Sequence, residues 1–140
     1  MCIRDRELEL GYRTSALERR GLFAVRAAFS LTTGDPGAIR EKMEELAAKR
    51  KEKQPLEYPS AGSTFKRPEG YFAGKLIEDA GLKGFSVGGA AVSEKHAGFV
   101  INKDHGTAAD ILELCNEVKR RVKENSGVDL EMEVKLLGDF

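Results

Sequence analysis

Residues 107–136 read TAADILELCNEVKRRVKENSGVDLEMEVKL, and in those thirty positions the hydrophobic period changes once. From Thr107 the apolar residues Ala108, Ile111, Cys115, Val118 and Val122 recur at three and four, the spacing of one helical face. Thr107 with Asp110 resembles a capping box, with Asp in place of the preferred Glu. After Gly127 the period drops to two. Val128, Leu130, Met132, Val134 and Leu136 alternate with Asp129, Glu131, Glu133 and Lys135, which predicts a strand with its apolar side on the core. With the elements upstream of it, this stretch supports an α+β domain with a polar pocket.

Working outward, Phe99-Val100-Ile101 reads as a buried strand. Phe85 to Val92 is apolar but interrupted by Gly88-Gly89, which predicts a strand where another backbone comes close. Tyr71 to Ala80 predicts a short helix with Leu76 and Ile77 inward and Gly81 as its stop. Asp35-Pro36 supplies an N-cap and a first-turn proline for a helix whose narrow apolar stripe is Ile39, Met43, Leu46 and Ala47. Upstream, Phe23, Val25, Ala27, Phe29 and Leu31 alternate, so Leu22 to Leu31 is expected to be a strand.

Composition narrows the function classes. The chain has 140 residues, enough for one modest domain, with 41% hydrophobic and 33% charged residues. Its 23 basic and 23 acidic residues cancel. That balance argues against a nucleic-acid or anionic-membrane surface, although it allows a local basic pocket. No segment is apolar enough to span a membrane or serve as a signal sequence. Cys2 and Cys115 with two scattered histidines make a poor zinc set, and a reducing cytoplasm suits them.

Several groups invite a chemical reading and each has a plainer one. Ser63 lies in a Gly-containing turn, where serine commonly bonds its own backbone, and no G-x-S-x-G elbow accompanies it. Gly88-Gly89 lacks the Lys and Ser/Thr of a phosphate loop. Lys49-Arg50-Lys51-Glu52-Lys53 complements a helix dipole or, equally, meets an anionic substrate. Glu131 and Glu133 share one strand face, which reads first as a solvated side. Cys115 on the helical stripe reads as a buried structural thiol rather than a nucleophile.

Three longer stretches sharpen this: "KQPLEYPSAGSTFKRP", "AGKLIEDAGLKGFSVGGAAVSEKHAGFVIN" and "LEMEVKLLG". Together they resemble the C-terminal, substrate-binding domain of the UDP-N-acetylenolpyruvoylglucosamine reductase family (UDP-N-acetylmuramate dehydrogenases). Gly11-Tyr12-Arg13-Thr14-Ser15 resembles that family's Tyr-Arg-x-Ser motif. The resemblance implies a small mixed sheet packed with helices, preceded by the last strand of a truncated flavin-binding domain. On it, residues 1–33 are a remnant of the FAD-binding domain, 34–54 a linking helix and 55–140 the substrate-binding domain.

The same resemblance implies an FAD- and NADPH-dependent cytoplasmic oxidoreductase. It would reduce UDP-N-acetylglucosamine enolpyruvate to UDP-N-acetylmuramate in peptidoglycan synthesis, and so serve cell shape and division. It implies Arg13, Ser63 and Glu133 as catalytic residues, Ser63 donating the proton. Lys53, Arg50, Arg67 and His96 are implied as substrate-binding residues. Met132 replaces the usual proline. The enzyme is expected to be a monomer at full length and to bind neither nucleic acid nor membrane. The segments expected to hold flavin lie upstream of anything in these residues, so the chain alone is expected to be inactive. The alternative is a non-catalytic nucleotide-sugar-binding module.

Overall fold

In the computed structural model, which describes residues 4–138, the helix beginning after Thr107 is the organising element. Helix α4 (Ala108–Ser126) starts on the expected capping box, with the Asp110 amide donating to Thr107 Oγ1 at 3.1 Å and the Thr107 amide to Asp110 Oδ2 at 2.8 Å. Those bonds, and a backbone bond from Gly89, hold the Asp110 carboxyl below its usual range. Gly127 ends the helix in the left-handed region at φ 73°. Leu114, Cys115, Val118 and Val122 are buried along one side. Each buried apolar side chain of this size contributes about 1.5–3 kcal/mol.

That side packs on a three-stranded sheet of order β1-β2-β3: Ser86–Val87, Ala90–Val92 and Val100–Asn102. Both pairings are antiparallel. The mixed sheet expected from the resemblance is therefore corrected to an antiparallel one. The strand expected over 85–92 is a hairpin, because Gly88 and Gly89 form its two-residue turn, with Gly88 at φ 51°. The close approach expected there is present. A Cβ on Gly89 would lie 2.1 Å from the Asp104 carbonyl oxygen and 2.3 Å from the Gly106 nitrogen. Helix α3 (Ala73–Asp79) closes the core with Leu76 and Ile77, and Gly81 follows it at φ 69°.

Two expected strands are absent. Residues 128–136 form no strand; one isolated antiparallel bridge pairs Met132 with Phe65. Leu130 is buried and Val128 and Met132 pack on the core, but Leu136 is 47% exposed. The alternation is obeyed for its first half only; among the described residues the bridge at Met132 is the last strand pairing in this stretch. Residues 22–31 also form no strand. Phe23, Val25, Phe29 and Leu31 alternate as expected but are 82–95% exposed. A strand needs a neighbour for its backbone, and none is present among the described residues.

The chain separates into two compact units, residues 1–36 and 37–140. In the first, Gly11 and Thr14 exchange backbone bonds around a tight turn, and the short helix α1 (Ala16–Arg19) buries Ala16. Helix α2 (Pro36–Lys53) starts at the expected proline, the last residue of the first unit, and the rest of it opens the second. Its stripe, Ile39, Met43, Leu46 and Ala47, stays exposed. Cys2 lies outside the described residues. No described helix is long and apolar enough to cross a membrane.

Candidate active site

Strand β3 has one edge against β2 and one edge open, and residues 59–64 run along the open edge. The Asn102 amide donates to the Pro59 carbonyl at 2.9 Å, Ser60 Oγ to the Val100 carbonyl at 2.8 Å, and the Val100 amide to Thr64 Oγ1 at 3.0 Å. The Thr64 amide then donates to the Gly98 carbonyl at 2.9 Å. Side-chain hydroxyls thus stand in for a partner strand, satisfying groups an edge would leave unpaired. The serine that bonds its own turn is Ser60, whose Oγ accepts from the Gly62 amide at 3.2 Å. Ser63 is the residue bridged to Phe99, it is exposed, and its hydroxyl makes no hydrogen bond among the described residues.

The other side of this segment binds the chain's end. The Lys66 amide donates to the Glu131 carbonyl at 2.8 Å and the Glu133 amide to the Thr64 carbonyl at 2.9 Å. Thr64, 3% exposed, therefore sits between the 98–100 loop and residues 131–133, using its amide, hydroxyl and carbonyl at once. The two glutamates separate in role. Glu131 is exposed and ion-pairs with Lys66. Glu133 is half-buried, with Oε2 withdrawn from solvent. Ser63 and Glu133 thus flank one buried threonine.

His96 joins this seam. Its Nδ1 accepts from the Gly98 amide at 3.1 Å, which leaves Nε2 to carry the proton of the neutral ring. The ring meets Phe99 edge-on at 4.9 Å, and Phe99 is the bridge partner of Ser63. Arg67 is four residues beyond Ser63. Its guanidinium lies 3.9 Å over the Phe72 ring and its Nε donates to the Tyr71 carbonyl at 3.1 Å, so it is held rather than swinging free.

The remaining expected residues lie on other elements. Arg50 and Lys53 are exposed on the last turn of α2, with no recorded contact to Ser63 or Glu133. Arg13 belongs to the first unit, exposed in the Gly11–Thr14 turn at φ 57° and 5.8 Å from the Tyr12 ring centre. No metal-binding group of three or more His, Cys, Asp or Glu occurs among the described residues. Burial pushes the Cys115 thiol up to about 11, which agrees with a structural role. A hollow of about 310 Å³ lies elsewhere on the second unit, among Tyr58, Ser93, Lys95 and Lys103. Ser60 and Thr64 were missed by sequence reasoning. Their signal is two hydroxyls four residues apart beside a strand that lacks a neighbour.

Residues 54–137 match the family model for the UDP-N-acetylenolpyruvoylglucosamine reductase C-terminal domain. The UDP-N-acetylenolpyruvoylglucosamine reductase of Clostridium beijerinckii is 60% identical over 133 residues, covering 95% of this chain and 44% of that protein. The reductase of Geobacillus thermodenitrificans is 56% identical over 96% of this chain and 44% of its own length. The crystal structure of the Thermus caldophilus UDP-N-acetylenolpyruvylglucosamine reductase superposes with a TM-score of 0.76 at 39% identity, over 93% of this chain and 46% of that one. The chain thus spans less than half the length of the relatives it matches. With its α+β architecture and matched domain, the chain belongs to the UDP-N-acetylenolpyruvoylglucosamine reductase family, and corresponds to that family's C-terminal portion.

Proposed function

We propose that residues 55–140 form the substrate-binding domain of a reductase that converts UDP-N-acetylglucosamine enolpyruvate to UDP-N-acetylmuramate. The observation that supports this reading is the seam at buried Thr64: its chain neighbour Ser63 has a hydroxyl that makes no hydrogen bond among the described residues, and the amide of half-buried Glu133 donates to the Thr64 carbonyl. Reduction of an enolpyruvyl double bond leaves a carbanion next to a carboxylate, and that carbon must take a proton. Ser63 supplies it: the O–H bond breaks as the new C–H bond forms. A hydroxyl is a weak acid, so it serves a strongly basic carbon when held in position. Glu133 contributes acid–base capacity at the same seam. Arg13, with its fixed, permanently charged fork, holds the substrate carboxylate. Lys53 and Arg50 offer cations to the diphosphate, and Arg67 and His96 offer donors to sugar or phosphate oxygens.

The family reaction uses FAD reduced by NADPH, and residues 1–33 are read as the remnant of a flavin-binding domain, with 34–54 as a linking helix. The described residues of the first unit do not make a flavin cradle. Among described residues of the first unit, the Gly11 amide is taken by the Thr14 carbonyl and the Gly21 amide by the Glu18 carbonyl, leaving neither for a pyrophosphate. The hydride chemistry therefore belongs to the complete enzyme, which this reading places in the cytoplasm.

Substrate binding tests the reading in the chain as it is. Titrating UDP-N-acetylglucosamine enolpyruvate while following backbone amide resonances should move Gly62 to Thr64, Gly98, Phe99 and Glu133 together. Shifts gathered instead around Tyr58, Lys95 and Lys103 would contradict it.

A further inference from the structure

Ser63 is exposed, and neither its amide nor its hydroxyl donates a hydrogen bond among the described residues. Its position is therefore set by the residues on either side of it. Ser60 Oγ donates to the Val100 carbonyl at 2.8 Å, and Thr64 Oγ1 accepts from the Val100 amide at 3.0 Å. Both backbone groups of one residue are thus taken by hydroxyls four residues apart, with Gly62 turning the chain between them at φ 94°. Val100 is itself anchored. It lies in strand β3 opposite Val92, and both side chains belong to the hydrophobic core.

We infer that Ser60 and Thr64 are positioning residues for the proton transfer, a two-point clamp on Val100 that holds the Ser63 hydroxyl in one place. The inference rests on the reading of Ser63 as proton donor. A hydroxyl is a weak acid, and its O–H bond breaks in favour of a C–H bond only when oxygen and carbanion are held close and aligned. The rate of that step therefore depends on placement more than on acidity.

Removing the Thr64 hydroxyl leaves the Val100 amide buried without an acceptor, and the loop must lift to let water reach it. Ser63, next in the chain, moves with it. Glu133 is insulated from this change, because its amide bonds the Thr64 carbonyl at 2.9 Å and not the hydroxyl. The clamp therefore acts on the proton donor alone. Removing the Ser60 hydroxyl frees the other end of the loop, since the Val100 carbonyl and the Gly62 amide both lose their partner.

The test needs a complete enzyme, made by placing residues 11–140 behind the N-terminal part of the Clostridium beijerinckii relative. Thr64→Val should leave flavin reduction by NADPH at the parent rate and slow single-turnover product formation by about 10- to 100-fold, the scale of a small misplacement. The solvent deuterium isotope effect on product formation should rise, because the slowed step is the breaking of the Ser63 O–H bond. Thr64→Ser, which restores the acceptor, should return most of the lost rate. In a Ser63→Ala background Thr64→Val should cost nothing further, whereas independent effects would multiply. Ser60→Ala should reproduce the slowing and the isotope effect, and it decides the matter if Thr64→Val fails to fold. A slow Ser63→Ala beside Thr64→Val and Ser60→Ala variants that run at the parent rate would overturn this inference alone. A multiplied loss in the double variant, or an equal loss in the NADPH half-reaction, would also overturn it. A Ser63→Ala enzyme that forms product at the parent rate would instead overturn the reading beneath it, and this inference with it.

Discussion

Replacing Thr64 by valine removes one acceptor from the seam and almost nothing else. The side chain is 3% exposed and its branched shape survives, but the Val100 amide, now bonded at 3.0 Å, loses its partner in a residue that is 6% exposed. Leaving a buried amide unsatisfied costs about 1–3 kcal/mol. For a unit of about 100 residues that corresponds to a fall in Tm of roughly 5–15 °C. Thr64→Ser keeps the acceptor and deletes one methyl, a loss of about 1 kcal/mol, so Tm alone separates the two poorly. Hydrogen exchange separates them well. In Thr64→Val the Val100 amide should lose protection ahead of the Val118 and Val122 amides, whereas in Thr64→Ser it should keep it. If Thr64→Val melts within about 2 °C of the parent and Val100 stays protected, the hydroxyl does not pin the loop and the seam is held by backbone contacts alone.

Two further outcomes follow from the same geometry. In a chimera carrying residues 11–140 behind the N-terminal part of the Clostridium beijerinckii relative, Glu133→Gln should lower turnover by about a hundredfold or more. Glu131→Gln should cost little, since its ion pair with Lys66 is solvent-exposed; the opposite ranking in steady-state assays would move the acid–base role to Glu131. Cys115, its thiol raised to about 11 by burial, should resist a disulfide reagent at pH 8 in a Cys2→Ser background and react fully once unfolded.

The helices and the capping box were legible because their signals are local. Thr107, Asp110 and Gly127 specify the ends of α4, and its stripe specifies the buried side, all within one stretch of chain. The strands were legible only where a partner lies close in sequence. Gly88-Gly89 signals a close approach, which is present, but the apolar run on both sides hides the reversal that makes it a turn. Residues 22–31 and 128–136 carry the alternation of strands without the backbone partners that make one, and a period of two records side-chain preference rather than pairing. For the site, Ser63 and Glu133 came from the family resemblance, while their common neighbour Thr64 was invisible. Its role depends on contacts to Gly98, Val100 and Glu133, all more than thirty residues further along the chain.

The account rests on Ser63 as proton donor, and the most direct test is Ser63→Ala in the chimera. Reduction of its flavin by NADPH should proceed at the parent rate, while single-turnover formation of UDP-N-acetylmuramate should slow by about two or more orders of magnitude. Equal loss in both half-reactions, or undiminished product formation, would contradict the assignment.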